Sequence, residues 1–353
     1  MTRRVPPLLA RAVLLVLAAA ASASVAGCSD DGLERRVLRV GHGLSPDHPV
    51  HRAMAFMADD LARRSGGQLA MQIYPSGQLG SERECIELLQ MVSLAMTKVS
   101  AATLENFVPA YGAFTQPYVF RSEAHRFAVL DGPLGQGLLD EMRPFRLRGL
   151  AYYDAGARSF YTTKTPVREP ADLAGQQVRV MESRTAMEMV RLMGGSPTPL
   201  AYGELYTALQ QGVVDGAENN LPSYYLSRHY EVAPYLVLDE HTAVPDVLVI
   251  GTKVWDGLTE QEQQWLLEAA AASVPVQREL WRASTEEALA AVQAAGVTVV
   301  TPDAAGKQAF ADRVAEMLRA LPDHLAGLVA QMQAVEAIGE PTPAVSDSTQ
   351  TPS

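Results

Sequence analysis

Apolar and polar positions alternate over residues 37–42, which predicts a strand, and a loop at 43–49 follows. Met54, Phe56, Met57 and Leu61 then recur at helical spacing over residues 51–64, and Gly66-Gly67 ends that helix. Residues 69–74 alternate as a second strand, Pro75-Ser76-Gly77 turns the chain, and a helix is predicted from Glu82 to about Leu94. A short strand at 98–101 completes a strand–helix–strand–helix order with short loops, the pattern of a parallel sheet covered on both faces. Residues 118–143 read as mostly helical, broken at Asp131-Gly132-Pro133.

Residues 147–153 and 158–163 are both extended, joined by Asp154-Ala155-Gly156-Ala157, which suggests a crossing between lobes rather than a hairpin. The stretch 175–223 reads as a short strand, a helix, a proline-rich turn, a second helix and an acidic-amide turn. Residues 230–238 and 244–251 are again extended. Thr259-Glu260-Gln261-Glu262 is a capping box, opening a helical pattern that lasts to Ala295. At ~1.5 Å per residue such a helix is ~54 Å long, enough to lie across two lobes, with Pro275 as the expected kink. A last strand at 296–300 and two helices at 303–338 follow, and the Pro-, Thr- and Ser-bearing segment after them reads as a disordered tail.

Composition narrows the classes. The 353 residues are 48% hydrophobic and 20% charged, as in an ordinary globular protein, with a formal net charge of −11. No basic run occurs after residue 36, which argues against a nucleic-acid partner. Arg3, Arg4 and Arg11 followed by the apolar run 12–25 read as an export signal, too short to be a membrane span. Val25-Ala26-Gly27-Cys28 is similar to a bacterial lipobox, in which Cys28 would be acylated; the alternative is a plain secretory peptide cleaved near Ala26. Loss of the leader leaves 26 Lys+Arg against 40 Asp+Glu, a charge of −14. With Cys28 consumed, Cys85 has no disulfide partner and reads as a small buried filler.

The chain holds no G-x-S-x-G, H-E-x-x-H, P-loop or G-x-G-x-x-G motif. His42, His48 and His51 imitate a metal site, but His48-Pro49 is better read as a turn, and no metal is expected. Arg179 stands out because it sits between Val178 and Val180 on a strand covered on both faces. Its planar fork must pair with a protein acid, Glu182 or Asp215, or await a carboxylate ligand. Arg158 could reach the same cleft or lie solvated at a strand start. Tyr202 could stack on a ligand or fill core. Asn219 could bond a ligand, while Asn219 or Asn220 could equally cap the helix that carries Pro222.

Three segments in order resemble one family. Tyr74-Pro75-Ser76-Gly77-Gln78-Leu79-Gly80, the Gly175-to-Val180 strand, and the run from Gly203-Glu204-Leu205-Tyr206 to Asp215-Gly216-Ala217-Glu218-Asn219 are similar to motifs of TRAP (tripartite ATP-independent periplasmic) transporter solute-binding proteins, the dicarboxylate-receptor-like DctP family. The resemblance implies an α/β, two-lobed periplasmic binding protein, type II-like, with hinge strands and a long helix spanning both lobes. The expected division is a leader at 1–27, a tether at 28–36, lobe I at 37–156 plus 244–285, lobe II at 157–243 plus 286–338, and a tail at 339–353. It further implies that Arg179 clamps a substrate carboxylate, that Arg158 and Asn219 assist, that Tyr202 lies beside the ligand, and that Glu82 meets hydroxyls. His241 and Glu240 would enter from a later crossing, with His42, Gly43 and Ser100 on the other lobe, and Glu182 as the placeholder partner of an empty Arg179.

Departures from the family pattern carry information. Asn220 replaces a proline and adds an amide, Val92 is read as a packing change, and Ser100 stands where sialic-acid receptors carry an acid. With Glu218-Asn219-Asn220 and Asp239-Glu240-His241-Thr242, the pattern resembles receptors for sugar acids such as uronates. The implied role is capture without catalysis or cofactor in the periplasm, on a lipid anchor, with delivery to membrane permease subunits. A C4-dicarboxylate receptor, or a sensing lipoprotein that presents its closed form to a kinase, is the alternative.

Overall fold

A computed structural model describes residues 35–337. The export signal, Cys28 and the tail lie outside the described residues, and within them no helix is long and apolar enough to cross a membrane. Among the described residues, eleven strands form two sheets. In chain order they are β1 (Arg36–Gly41), β2 (Leu69–Tyr74), β3 (Met96–Ser100), β4 (Leu147–Tyr153), β5 (Ser159–Thr162), β6 (Gln177–Val180), β7 (Ser196–Pro199), β8 (Gly216–Asn219), β9 (Tyr235–Val237), β10 (Asp246–Gly251) and β11 (Thr298–Val300). The first sheet runs β2-β1-β3-β10-β4 and the second β11-β9-β5-β8-β6-β7.

Each sheet is parallel at heart with one antiparallel insertion. β1 pairs parallel with β3, while β10 runs antiparallel to both β3 and β4. In the second sheet β6 pairs parallel with β7 and β8, while β5 runs antiparallel to β8 and β9. β10, with sequence DVLVIG, shows why both faces must be covered. Val247 and Val249 enter one core with Leu104 and Leu138, and Leu248 and Ile250 enter another with Met54, Leu61 and Leu266. Alternate side chains thus go to opposite faces, and an uninterrupted apolar run results.

Two segments that the sequence pattern presents as turns are strands. The Ser196–Pro199 segment is an edge strand, where proline costs no ladder bond, and the acidic-amide segment holds β8, a buried interior strand. Gly216 is needed there because a Cβ would lie 2.6 Å from the Tyr161 carbonyl oxygen. The helix expected to reach Leu94 ends at Gln90, and Val92 follows with φ 63° and half its surface exposed. Val92 is therefore a backbone-strain position rather than a packing change.

The helix Glu260–Ala294 joins the sheets as its length suggested. Leu266, Ala269 and Trp281 pack in the core of the first sheet and Val292 in that of the second. Each large side chain so buried contributes ~1.5–3 kcal/mol. At its middle, beside Pro275, Gln277 accepts from the Asp154 backbone N–H at 2.8 Å and donates to the Asp154 carbonyl at 2.7 Å. Gly156 in the same crossing has φ 56°, and a Cβ there would meet Trp281 Nε1 at 2.8 Å. The final helix, Asp323–Ala334, places Val329 and Met332 in the core of the first sheet, whereas residues 286–338 were expected to stay with the second lobe.

Candidate functional site

The carboxyl ends of β3, β6 and β8 converge on a cavity of about 320 Å³ between the lobes. This is near the small end of the range for ligand sites, about 300–1,000 Å³. Antiparallel pairing brings two further residues to the same level. Asp246 opens β10 opposite Ser100, and Arg158 precedes β5, whose Ser159 lies opposite Asn219.

Arg179 lines the cavity with 2% exposure. Its Nε and Nη2 donate to the Leu200 carbonyl at 3.0 and 2.7 Å, and its buried Nη1 has no partner among the described residues. Neither expected acid pairs with it. Asp215 takes Lys164 at 2.8 Å and the Gln177 backbone N–H at 3.0 Å, and the Glu182 backbone carbonyl accepts from Asn106. Burial without a pairing carboxylate lowers the Arg179 pKa, with the nearby Glu218 opposing. Glu182 lines the cavity but is not the placeholder partner.

Arg158 is bound instead to Glu218. Nε and Nη2 hold the two carboxylate oxygens, Nη2 also donates to the Glu218 carbonyl at 2.8 Å, and Nη1 donates to Asn219 Oδ1 at 2.8 Å. A guanidinium has five donors, so one Nη1 hydrogen remains. Asn219 Oδ1 also accepts the Asn220 N–H at 2.9 Å, so its acceptor is spent and its amide donors are left for the cavity. Asn220 Oδ1 caps the next helix through Ser223 N at 2.9 Å, which settles the capping alternative in its favour. Tyr202 also lines the cavity, its hydroxyl anchored on Ser227.

His241 and Glu240 do not reach the cavity lining. Buried His241 donates from Nδ1 to Asp239 at 2.7 Å, packs its ring against Phe160 at a 32° tilt, and holds Nε2 3.6 Å from Glu218, a Coulomb contact beyond hydrogen-bond reach. Burial would lower its pKa, but Asp239 and Glu218 raise it to about 9. Burial would raise Glu218, but Arg158 and His241 bring it to about 2. Glu240 pairs with Lys307 at a half-exposed position. His42 is also outside: Nδ1 accepts from Leu44 N at 3.1 Å and Nε2 bonds His51 at 3.0 Å. Among the described residues no three or more His, Cys, Asp or Glu are grouped to hold a metal ion.

The opposite wall was only half foreseen. Glu82 accepts Lys98 Nζ at 2.8 Å, Ser100 N at 3.1 Å and Thr103 Oγ1 at 2.9 Å. Burial opposes its charge, but Lys98 and these donors hold its pKa below the usual carboxylate range. Lys98 Nζ also donates to Asp246 Oδ1 at 3.1 Å. Ser100 uses its hydroxyl to cap Ala102. The signal for Lys98 was the one used for Arg179, a lone cation in a buried strand, whereas Asp246 has no such signature.

Several bonds cross between the lobes. Glu105 accepts Ser183 Oγ at 2.7 Å, Thr185 N at 3.1 Å and Thr185 Oγ1 at 2.9 Å at the start of the helix Arg184–Leu192. His48, neutral through burial, donates from Nε2 to Ser223 Oγ at 3.2 Å because its Nδ1 accepts from Val50 N. The cavity is thus lined by residues of both lobes, which these bonds join.

Comparison with known proteins agrees with this geometry. The model of bacterial extracellular solute-binding protein family 7, DctP, matches residues 40–322. A TRAP periplasmic solute-binding protein of a Bradyrhizobium species, solved with α/β-D-galacturonate, is 44% identical with a TM-score of 0.82 over 84% of this chain and 99% of that one. One from Roseobacter denitrificans, with β-D-glucuronate bound, is 37% identical with a TM-score of 0.80 over 85% of this chain and 100% of that one. A solute-binding protein of Chromohalobacter salexigens is 35% identical over 75% of this chain and 78% of its own length. With its two lobes, spanning helix and interlobe cavity, this chain belongs to bacterial extracellular solute-binding protein family 7, the DctP family of TRAP solute receptors.

Proposed function

We propose that the protein captures a sugar acid, a uronate such as galacturonate or glucuronate, in its interlobe cavity and delivers it to TRAP permease subunits without altering it. The observation that carries this reading is the buried Arg179 guanidinium, which lines the cavity with no carboxylate partner and one nitrogen unpartnered. The ligand carboxylate takes that nitrogen, with the remaining Arg158 hydrogen and the Asn219 amide beside it. The sugar ring lies by Tyr202, and its hydroxyls face the wall built on Lys98, Glu82 and Asp246. Relatives of up to 44% identity with galacturonate or glucuronate bound support the choice of acid.

Closure follows from bonds that only an approached pair of lobes makes, those of Glu105 and His48 together with a ligand that spans the cavity. Acylation of Cys28 would hold the receptor at the membrane surface near its permease. Glu218 is taken by Arg158 and Glu82 by Lys98, so these two carboxylates are not set as a pair across a scissile bond, which favours capture over chemistry.

The test is titration calorimetry with galacturonate, glucuronate, galactonate and succinate. A uronate is expected to bind best, and Arg179→Ala to lose at least tenfold in affinity. Full-strength binding by Arg179→Ala would refute the clamp, and tightest binding of succinate would refute the sugar-acid assignment.

A further inference from the structure

The wall opposite Arg179 holds two carboxylates and one cation. Glu82 accepts three hydrogen bonds, from Lys98, Ser100 and Thr103, so one carboxylate's capacity of about four is nearly filled. Asp246 accepts one, from Lys98 Nζ to Oδ1, and among the described residues its Oδ2 takes none. Both residues line the cavity, and the Asp246 side chain retains 8% exposure. The free acceptor capacity of this wall therefore belongs mainly to Asp246.

We propose that Asp246, rather than Glu82, is the acceptor for the sugar hydroxyls, and that its charge makes the site reject acids carrying a second carboxylate. The proposal rests on the uronate reading above. Lys98 neutralises one of the two carboxylates, so the wall keeps one excess negative charge facing the far end of the solute. A hydroxyl there donates a charge-assisted hydrogen bond to Oδ2. A carboxylate at the same place meets a like charge on a buried wall, where screening is weaker than in bulk solvent. Glu82 acts through Lys98, holding the ammonium that positions Asp246.

The register of β10 explains why Asp246 can do this. It is the first residue of a strand running against β3, directly opposite Ser100, so its side chain emerges where the parallel strands end. It faces Lys98 and Glu82 from its own lobe and Arg158 from the other. Arg158 is already paired with Glu218, so the cation bonded to Asp246 is Lys98, which Glu82 shares.

The test is a pair of calorimetric titrations, galacturonate and the corresponding diacid galactarate, on the wild-type protein and on Asp246→Asn. Wild type is expected to prefer galacturonate by at least a hundredfold. Asp246→Asn keeps an acceptor but removes the excess charge. It is expected to bind galacturonate about tenfold more weakly and galactarate more tightly, narrowing the ratio at least tenfold. Wild-type Kd values within threefold of each other overturn the proposal without any variant, which covers the case of a variant that fails to fold. Normal uronate binding with an unchanged ratio in Asp246→Asn overturns the Asp246 assignment alone. Failure of the wild-type protein to bind galacturonate here, and glucuronate in the titrations above, overturns the ligand reading, and this proposal with it.

Discussion

Replacing Arg179 by methionine separates binding from stability, because the residue is kept at a cost in the empty protein. The residue is 2% exposed, and its guanidinium is bonded twice to one carbonyl and has no carboxylate partner among the described residues. A ligand carboxylate about 4 Å from the cationic centre gains ~4 kcal/mol at the effective dielectric of 20 that suits such pairs. Truncating one member of a buried charge pair costs ~2–5 kcal/mol, so galacturonate affinity should fall roughly 30- to 4,000-fold. Without ligand the sign differs. Methionine fills similar space, removes an uncompensated buried charge, and loses two bonds to a carbonyl whose desolvation costs ~1–3 kcal/mol. The two terms offset, so the empty variant should melt at or above the wild-type temperature. Calorimetric titration reads the first effect and scanning calorimetry of the empty protein the second. An empty variant destabilised by more than ~3 kcal/mol, the upper bound of the carbonyl term alone, would show that Arg179 is a structural ion rather than a waiting clamp.

Three further outcomes are expected. The Val92→Gly variant should be more stable by ~1 kcal/mol, since Val92 is a half-exposed β-branched residue at φ 63°, where the left-handed conformation costs ~1–2 kcal/mol; an unchanged melting temperature would refute this. Glu105→Ala strips the acceptor from Ser183 and Thr185, so small-angle scattering should show a more open empty protein, and uronate affinity should fall; an unchanged scattering profile would exclude a role in closure. Stability should peak near pH 6.5. His42 and His229, lowered to about 3 chiefly by burial, fold neutral, so their contribution is lost as pH falls below 6.5 towards 3, and that of Glu218 as pH falls from 4.5 towards 2. His241, raised to about 9, stabilises fully below 6.5 and loses ~3 kcal/mol as pH rises through 9, so His241→Gln should flatten the alkaline side; an alkaline limb unchanged in that variant would refute the assignment.

Local patterns carried much of the architecture in the sequence. Apolar spacing and end signals placed the early strands and helices, and the Thr259 capping box with its long periodic run announced the helix that spans both lobes. Arg179 was legible because a guanidinium between two valines of a buried strand needs an explanation that local structure does not supply. Tertiary pairing decided the rest. Only the fold shows that Asp215 goes to Lys164 rather than to Arg179, and that Arg158 is bound to Glu218 where β5 runs against β8. β8 itself was hidden, since Gly-Ala-Glu-Asn has little strand propensity and becomes a strand by being enclosed between β5 and β6. His241 and His42 looked like cleft residues by position, yet Asp239 and His51 claim their ring nitrogens. Asp246 shows the limit most plainly. A residue's neighbours in the chain set its backbone, but the charge and donors it faces come from Lys98 and Glu82, 148 and 164 positions away, and only the folded sheet brings them together.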